Sequence, residues 1–280
     1  MILNRVNFFS KTLLNHVDVD ILIPTLPDND CLHATYDAIY QPGRRWPCLY
    51  LLHGALDDHS CWLRHTAIER LAEAAGMAVV MPSGQNGFYT KARYGLDYFT
   101  FVTEELPKMV CSTFPISGRR EDTYIAGPSM GGYGATKCAL RCPQQYAAFA
   151  DFSGAVDPIE LEPKMKAMGF GFFRYDLIWG GVENLKNTED DVFYLAQLHK
   201  DAPVKPDCHI YCGLEDTANY GMNVRLAETL RNNGFSVAFT DGHGLHDWVY
   251  WDQCIADFLQ KIARSRTETD STAVSSGSSL

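Results

Sequence analysis

Short apolar runs alternate along this chain with stretches whose apolar positions recur every three to four residues. The first pattern suits a strand buried on both faces, the second an amphipathic helix. Residues 47–52 form an apolar run that ends in His53-Gly54, and 77–81 form another, stopped by Pro82. Further runs lie at 122–126, 149–152, 208–211 and 236–239. Helical periodicity covers 67–75, 96–111, 132–140, 222–232 and 249–262. Continuous apolar strands separated by amphipathic helices predict a mostly parallel sheet with helices on both faces, the α/β class.

Three segments depart from this alternation. The first forty residues read as two or three strands with turn signals at Pro24, Pro27 and Asp28-Asn29-Asp30, which predicts an antiparallel extension at one sheet edge. Residues 156–203 hold Met165, Met168, Phe170, Phe172, Phe173, Tyr175 and Trp179 among glycines. Such a segment is either a cap that covers a site and excludes water or a helical insertion packed on the sheet. From about 264 to 280 the chain is rich in Ser and Thr without an apolar period, and disorder is expected there. With 280 residues and 46% hydrophobic content, residues 1–263 are expected to form a single domain around one sizeable core.

Charge and cysteine usage narrow the class of partner. The formal net charge is −10, and the Lys and Arg residues are scattered; Arg119-Arg120 reads as a solvated turn. Binding a phosphate backbone needs clustered cations, so no nucleic-acid partner is expected. Polar residues interrupt 1–14 and no small-residue cleavage site follows, so no export signal is expected. No stretch approaches the roughly 18 uninterrupted apolar residues of a membrane span, so no membrane partner is expected either. Nine cysteines, an odd number dispersed through the expected strands and helices, suit reduced thiols better than a disulfide framework. Cys138 and Cys142 are four apart, as are Cys208 and Cys212, without a CxxC spacing or a His pair, and no metal is expected.

The central chemical signal is Gly127-Pro128-Ser129-Met130-Gly131-Gly132, which fits G-x-S-x-G. A serine nucleophile exposed on a sharp strand-to-helix turn needs small residues two before and two after it. The expected strand 122–126 and helix 132–140 supply that context. Pro128 pushes Gly127 toward extended geometry, which suits a strand end, but it lacks an N–H. Proteins built on this turn follow the chain order Ser, Asp or Glu, His. His243 and His246 both lie in the loop between the last expected strand and the last helix. The acid falls after the preceding strand in Cys212-Gly213-Leu214-Glu215-Asp216, where Asp216 is preferred and Glu215 is the alternate; Asp151 is a weaker one. An oxyanion hole takes one donor from the amide after the nucleophile, Met130, and one from the loop after an early strand, Ala55 in His53-Gly54-Ala55-Leu56. His53 reads as a brace for that loop, and Trp248 as either a pocket wall or a core residue.

At this point the sequence resembles the esterase D-like branch of the α/β-hydrolases, which includes tributyrin esterases, acetylesterases, feruloyl esterases and S-formylglutathione hydrolases. The resemblance rests on Phe8-Phe9-Ser10, Leu51-Leu52-His53-Gly54, Val80-Met81-Pro82, Asn86-Gly87-Phe88-Tyr89-Thr90 and Tyr94-Gly95-Leu96-Asp97-Tyr98. It continues through Glu104-Glu105-Leu106-Pro107, residues 126–135, Cys212-Gly213-Leu214-Glu215-Asp216, His246-Asp247-Trp248 and Trp251-Asp252. It spans nearly the whole chain to about 262. It implies an α/β-hydrolase fold with Ser129 as nucleophile, Asp216 as acid, His246 as base and Ala55 and Met130 as oxyanion donors. The H-x-W arrangement favours His246 over His243, and Tyr133 is more like tributyrin and acetyl esterases than formylglutathione hydrolases. Pro128 and the Ala55-Leu56 loop depart from the pattern. The resemblance further implies a cytoplasmic enzyme, often a homo-oligomer, that acts on small-molecule esters with neither metal nor organic cofactor. The activity expected is hydrolysis of short-chain acyl or aryl esters through an acyl-serine. The rivals are acyl transfer, thioester hydrolysis of the S-formylglutathione type, and a non-catalytic binding module on a hydrolase scaffold.

Overall fold

A computed structural model describes residues 1–171 and 173–276, with side chains described through Thr267. One eight-stranded sheet runs through it in the order β1-β2-β4-β3-β5-β6-β7-β8. The parallel part comprises β3 (Cys48–Leu51), β4 (Ala78–Pro82), β5 (Thr123–Pro128), β6 (Ala148–Phe152), β7 (Asp207–Gly213) and β8 (Val237–Gly242). Strands β3 to β6 are buried at every position, as the uninterrupted apolar runs require when helices cover both faces.

The antiparallel edge is a hairpin of β1 (Ile2–Ser10) and β2 (Asn15–Ile23), and β2 pairs antiparallel with β4. Its turn is tied to the sheet's helical layer. The Glu105 carboxylate accepts the N–H groups of Lys11 and Thr12 and the Ser10 hydroxyl at 2.7–2.9 Å. Glu105 sits at the end of a π-helical turn, Phe101–Glu105, that passes directly into the helix Leu106–Thr113. Pro107 accounts for the wide turn: it has no N–H to give, and its ring crowds the carbonyl one turn before it. The expected helix at 96–111 is therefore present, but with a change of register inside it.

Two apolar layers sandwich the sheet. One includes Tyr50, Val80, Ile125, Phe149 and the helices Met130–Arg141 and Tyr220–Asn232. The other includes Leu49, Val79, Tyr124, Phe152 and the last helix. The helix Cys61–His65, not anticipated from periodicity, buries Cys61 and Trp62 in the second layer; five residues are too few to display a period. All nine cysteines are free thiols, six of them buried.

The last helix runs Trp248–Ser276, past the point at which disorder was expected to begin. Ala263, Arg264 and Arg266 are good helix formers, so the helix propagates without an apolar period to signal it. The expectation for 277–280 lies outside the described residues. Among the described residues no helix is long and apolar enough to cross a membrane.

Residues 156–203 leave the sheet after β6 and return before β7. They form the helices Pro158–Ala167, Tyr175–Trp179 and Val192–Leu198. Trp179, Val192 and Leu195 are buried in the main core, while Met168 and Phe170 stay exposed. The later half packs on the sheet layer, and the earlier half overhangs the strand ends. Phe172 lies outside the described residues.

Candidate active site

Ser129 stands between the last residue of β5 and the first of the helix Met130–Arg141, at φ 53° and ψ −116°. A non-glycine residue in this region is strained and persists only where its surroundings over-determine it. Here the Ser129 N–H donates to Phe152 O at 2.9 Å, and Ser129 O accepts from the N–H groups of Tyr133 and Ala155 at 3.1 and 3.0 Å. The flanking glycines are required by contact. A Cβ at Gly127 would lie 2.7 Å from the Gly131 backbone, and one at Gly131 would lie 2.7 Å from His53 O. Ser129 bonds toward β6, so by alternation position 128 faces the β3 side, where the Leu52 carbonyl that an N–H at 128 would meet accepts the Trp62 indole N–H at 2.8 Å instead.

Asp216 and His246 meet. Asp216 follows β7, is 3% exposed, and its Oδ2 lies 2.7 Å from His246 Nδ1. The buried carboxylate makes Nδ1–H the donor and leaves Nε2 its lone pair. The Asn219 amide donates to the same carboxylate at 3.1 and 3.3 Å, and its backbone N–H donates to Oδ1 at 3.2 Å. Asn219 was not singled out from the sequence. The signal available was an Asp followed three residues later by a polar residue at a helix start, the spacing of a capping interaction. The His246 imidazole stands edge-on to Trp251 at 4.9 Å between ring centroids, and its side chain is 34% exposed.

The alternates are placed elsewhere. His243 pairs with Glu215 at 2.7 Å on the surface, and its side chain is 92% exposed. The mutual contact raises the His243 pKa and lowers that of Glu215. Glu215 Oε2 also accepts the Gly244 N–H at 2.7 Å, so this carboxylate ties the loop after β7 to the loop that carries His246. Asp151 lies wholly buried beneath the serine turn; a Cβ at Gly132 or Gly154 would lie 2.2 Å from its Oδ1. Burial holds its pKa well above the ordinary 3.8, with the Gly154 N–H opposing and the Asp216 charge adding to the rise.

A cavity of about 380 Å³ opens over these groups. Ser129, Met130, Ala55, Asp216 and His246 all line it. Neither the Ala55 nor the Met130 N–H has an acceptor among the described hydrogen bonds, and that of Met130 is one of the amides a helix start leaves unpaired. One wall is apolar, built by Leu161, Met165, Met168, Phe170, Phe173 and Tyr175 from the segment after β6, with Phe88 behind them. Trp248 is not part of the lining. Its indole packs between Trp62, His65 and Trp251 in the layer under the histidine loop, which corrects its assignment to the substrate pocket. The reason is its position as the first residue of the last helix, where its ring packs against the helix Cys61–His65 rather than reaching the cavity.

His53 is the brace expected of it. Its Nδ1 donates to Gly54 O at 2.6 Å and its Nε2 accepts the Gly84 N–H at 2.7 Å. Burial lowers its pKa, in keeping with a neutral ring that donates from one nitrogen and accepts at the other.

Residues 34–262 match the family described as "Putative esterase". The chain belongs to that esterase family. It is 28% identical over 269 residues to an acetyl esterase of Caldicellulosiruptor saccharolyticus, covering 94% of this chain and 99% of the relative. Its structure is similar to substrate-bound FphF, a fluorophosphonate-binding serine hydrolase of Staphylococcus aureus, at TM-score 0.81 and 29% identity. That match covers 94% of this chain and 98% of the other. It is also similar to an S-formylglutathione hydrolase of the same organism, at TM-score 0.79, 29% identity and the same coverage. The esterase is thus a serine ester hydrolase of α/β-hydrolase fold.

Proposed function

We propose that Ser129 is the nucleophile, His246 the general base and Asp216 the orienting acid in the hydrolysis of short-chain acyl or aryl esters of small molecules. The observation that carries this reading is the 2.7 Å contact between Asp216 and His246 at the rim of the cavity into which the strained Ser129 opens. His246 Nε2 takes the Ser129 proton as Oγ attacks the ester carbonyl. The oxyanion that forms is held by the N–H groups of Ala55 and Met130. Collapse expels the alcohol, which leaves with the proton from His246, and an acyl-serine remains. Water deprotonated by the same imidazole attacks the acyl carbon, and the acid departs with Ser129 restored. Asp216 keeps Nδ1 protonated throughout and stabilises the imidazolium. The apolar wall of methionines and aromatics supports an acyl or aryl group rather than a charged one. The nine free thiols support a cytoplasmic setting for this esterase.

The test is turnover of p-nitrophenyl esters from acetate to octanoate by wild type and Ser129→Ala. Wild-type turnover with loss of at least about 10³-fold in the variant is the expected result. A variant that keeps full activity would remove Ser129, and with it the triad. Similarity to an S-formylglutathione hydrolase favours a second reading, thioester hydrolysis. Rates on S-formylglutathione and on p-nitrophenyl acetate, measured side by side, separate the two.

A further inference from the structure

The loop at 83–90, after β4, contributes only Phe88 to the lining of the cavity, yet its backbone is unusual. Gln85, Phe88 and Tyr89, none of them glycine, sit at φ 46°, 50° and 48°. Three such residues in five are costly unless surrounding contacts hold them. On one side, fully buried Lys137 donates from Nζ to Thr90 Oγ1, to Phe88 O at 3.4 Å and to Asp190 Oδ1 at 3.0 Å. On the other side the loop meets residues 53–56. Tyr89 Oη donates to His53 O and accepts the His53 N–H, each at 2.9 Å. Asn86 Oδ1 accepts the Leu56 N–H at 2.8 Å.

These contacts fall on both sides of Ala55. A trans peptide is planar, so its C=O and the next N–H point in opposite directions. The His53 bond to Gly54 O therefore orients the plane that contains the Ala55 N–H. The bond from Leu56 N–H to Asn86 orients the next plane. With both planes held, Ala55 has no free backbone torsion, although Leu56 itself sits at φ 71° on an exposed turn. We infer that Asn86 is a positioning residue for the oxyanion hole, acting through the Leu56 amide to keep the Ala55 N–H aimed at the reacting carbonyl. This rests on the assignment of Ala55 as an oxyanion donor made above.

Asn86 is exposed, so its variants are expected to fold, and melting temperatures check this. The prediction is that Asn86→Ala lowers kcat on p-nitrophenyl acetate about tenfold to a hundredfold with KM changed less than about threefold, because a misaimed donor is lost from the transition state alone. Asn86→Asp keeps an oxygen acceptor and restores most of kcat, whereas Asn86→Leu behaves as Ala. Amide exchange over residues 53–57, followed in a Ser129→Ala background, speeds up with Asn86→Ala and not with Asn86→Asp. A kcat within twofold of wild type in Asn86→Ala overturns the inference, as does a fall in kcat with unchanged exchange or one that Asp does not relieve. Full turnover by Ser129→Ala alone would instead bring down the site assignment beneath it.

Discussion

A carboxyl group with no water around it gives up its proton reluctantly, and Asp151 is such a group. Among the described residues no cation pairs with it, and the Asp216 carboxylate lies near enough to raise its pKa further. Two buried anions near each other would repel, so the neutral form of Asp151 spares Asp216, the carboxylate that meets His246, a second charge beside it. The folded state then holds a proton that the unfolded chain releases near 3.8. Stability from this group is fully present below that value and is lost as pH rises toward the higher folded value. Asp151→Asn is neutral at every pH. Its melting temperature relative to wild type is expected to climb as pH rises above about 4, over the range in which only the unfolded wild-type chain has lost the proton. A difference that stays flat across that range would mean that Asp151 ionises in the fold without penalty.

At the scale of elements, the site is assembled from the ends of β3, β5, β7 and β8 and held by contacts between the loops that follow them. The helix Met130–Arg141 does more than begin at Ser129. Its Tyr133 hydroxyl donates to Asp190 O at 2.6 Å, and its Lys137 reaches Asp190 and the loop after β4. One helix thereby joins the serine turn, the loop that contacts residues 53–56 and the segment that overhangs the cavity. Lys137 is wholly buried while Asp190 is about a fifth exposed, so removing the lysine strands a carboxylate that water reaches only in part. Lys137→Met is expected to destabilise the protein by about 3 kcal/mol, near the lower end for breaking a buried pair. A urea midpoint indistinguishable from wild type would show that the pair contributes nothing net.

For the whole molecule, the question is what the cavity admits. The sheet supplies its polar floor, and residues 161–175 supply its apolar wall. Met165 is half-buried in that wall. A carboxylate placed there would oppose an apolar acyl chain far more than an acetyl group, because only the longer chain must desolvate it. Met165→Asp is expected to lower kcat/KM for p-nitrophenyl octanoate at least about tenfold more than for acetate. Equal losses on both esters would place the acyl chain elsewhere. The Glu215–His243 pair is too exposed to contribute much stability, but it ties together the two loops that carry Asp216 and His246.

What the sequence determined by itself was whatever depends on local pattern. The buried parallel strands appear as unbroken apolar runs because both faces are covered. The serine turn appears as G-x-S-x-G because Gly127 and Gly131 touch backbone that leaves no room for a side chain. The order of Ser129, Asp216 and His246 follows from strands that each end on the same side of the sheet. Tertiary structure alone decided which of His243 and His246 meets a buried carboxylate, since both sit in one loop and only the folded chain brings Asp216 to His246. It decided likewise that Trp248 packs under the site instead of lining it, and that Asn86, Lys137 and Asn219 support groups remote in the chain. Those assignments rest on contacts between loops from different strands, and no periodicity within a single segment encodes a partner that lies tens of residues away.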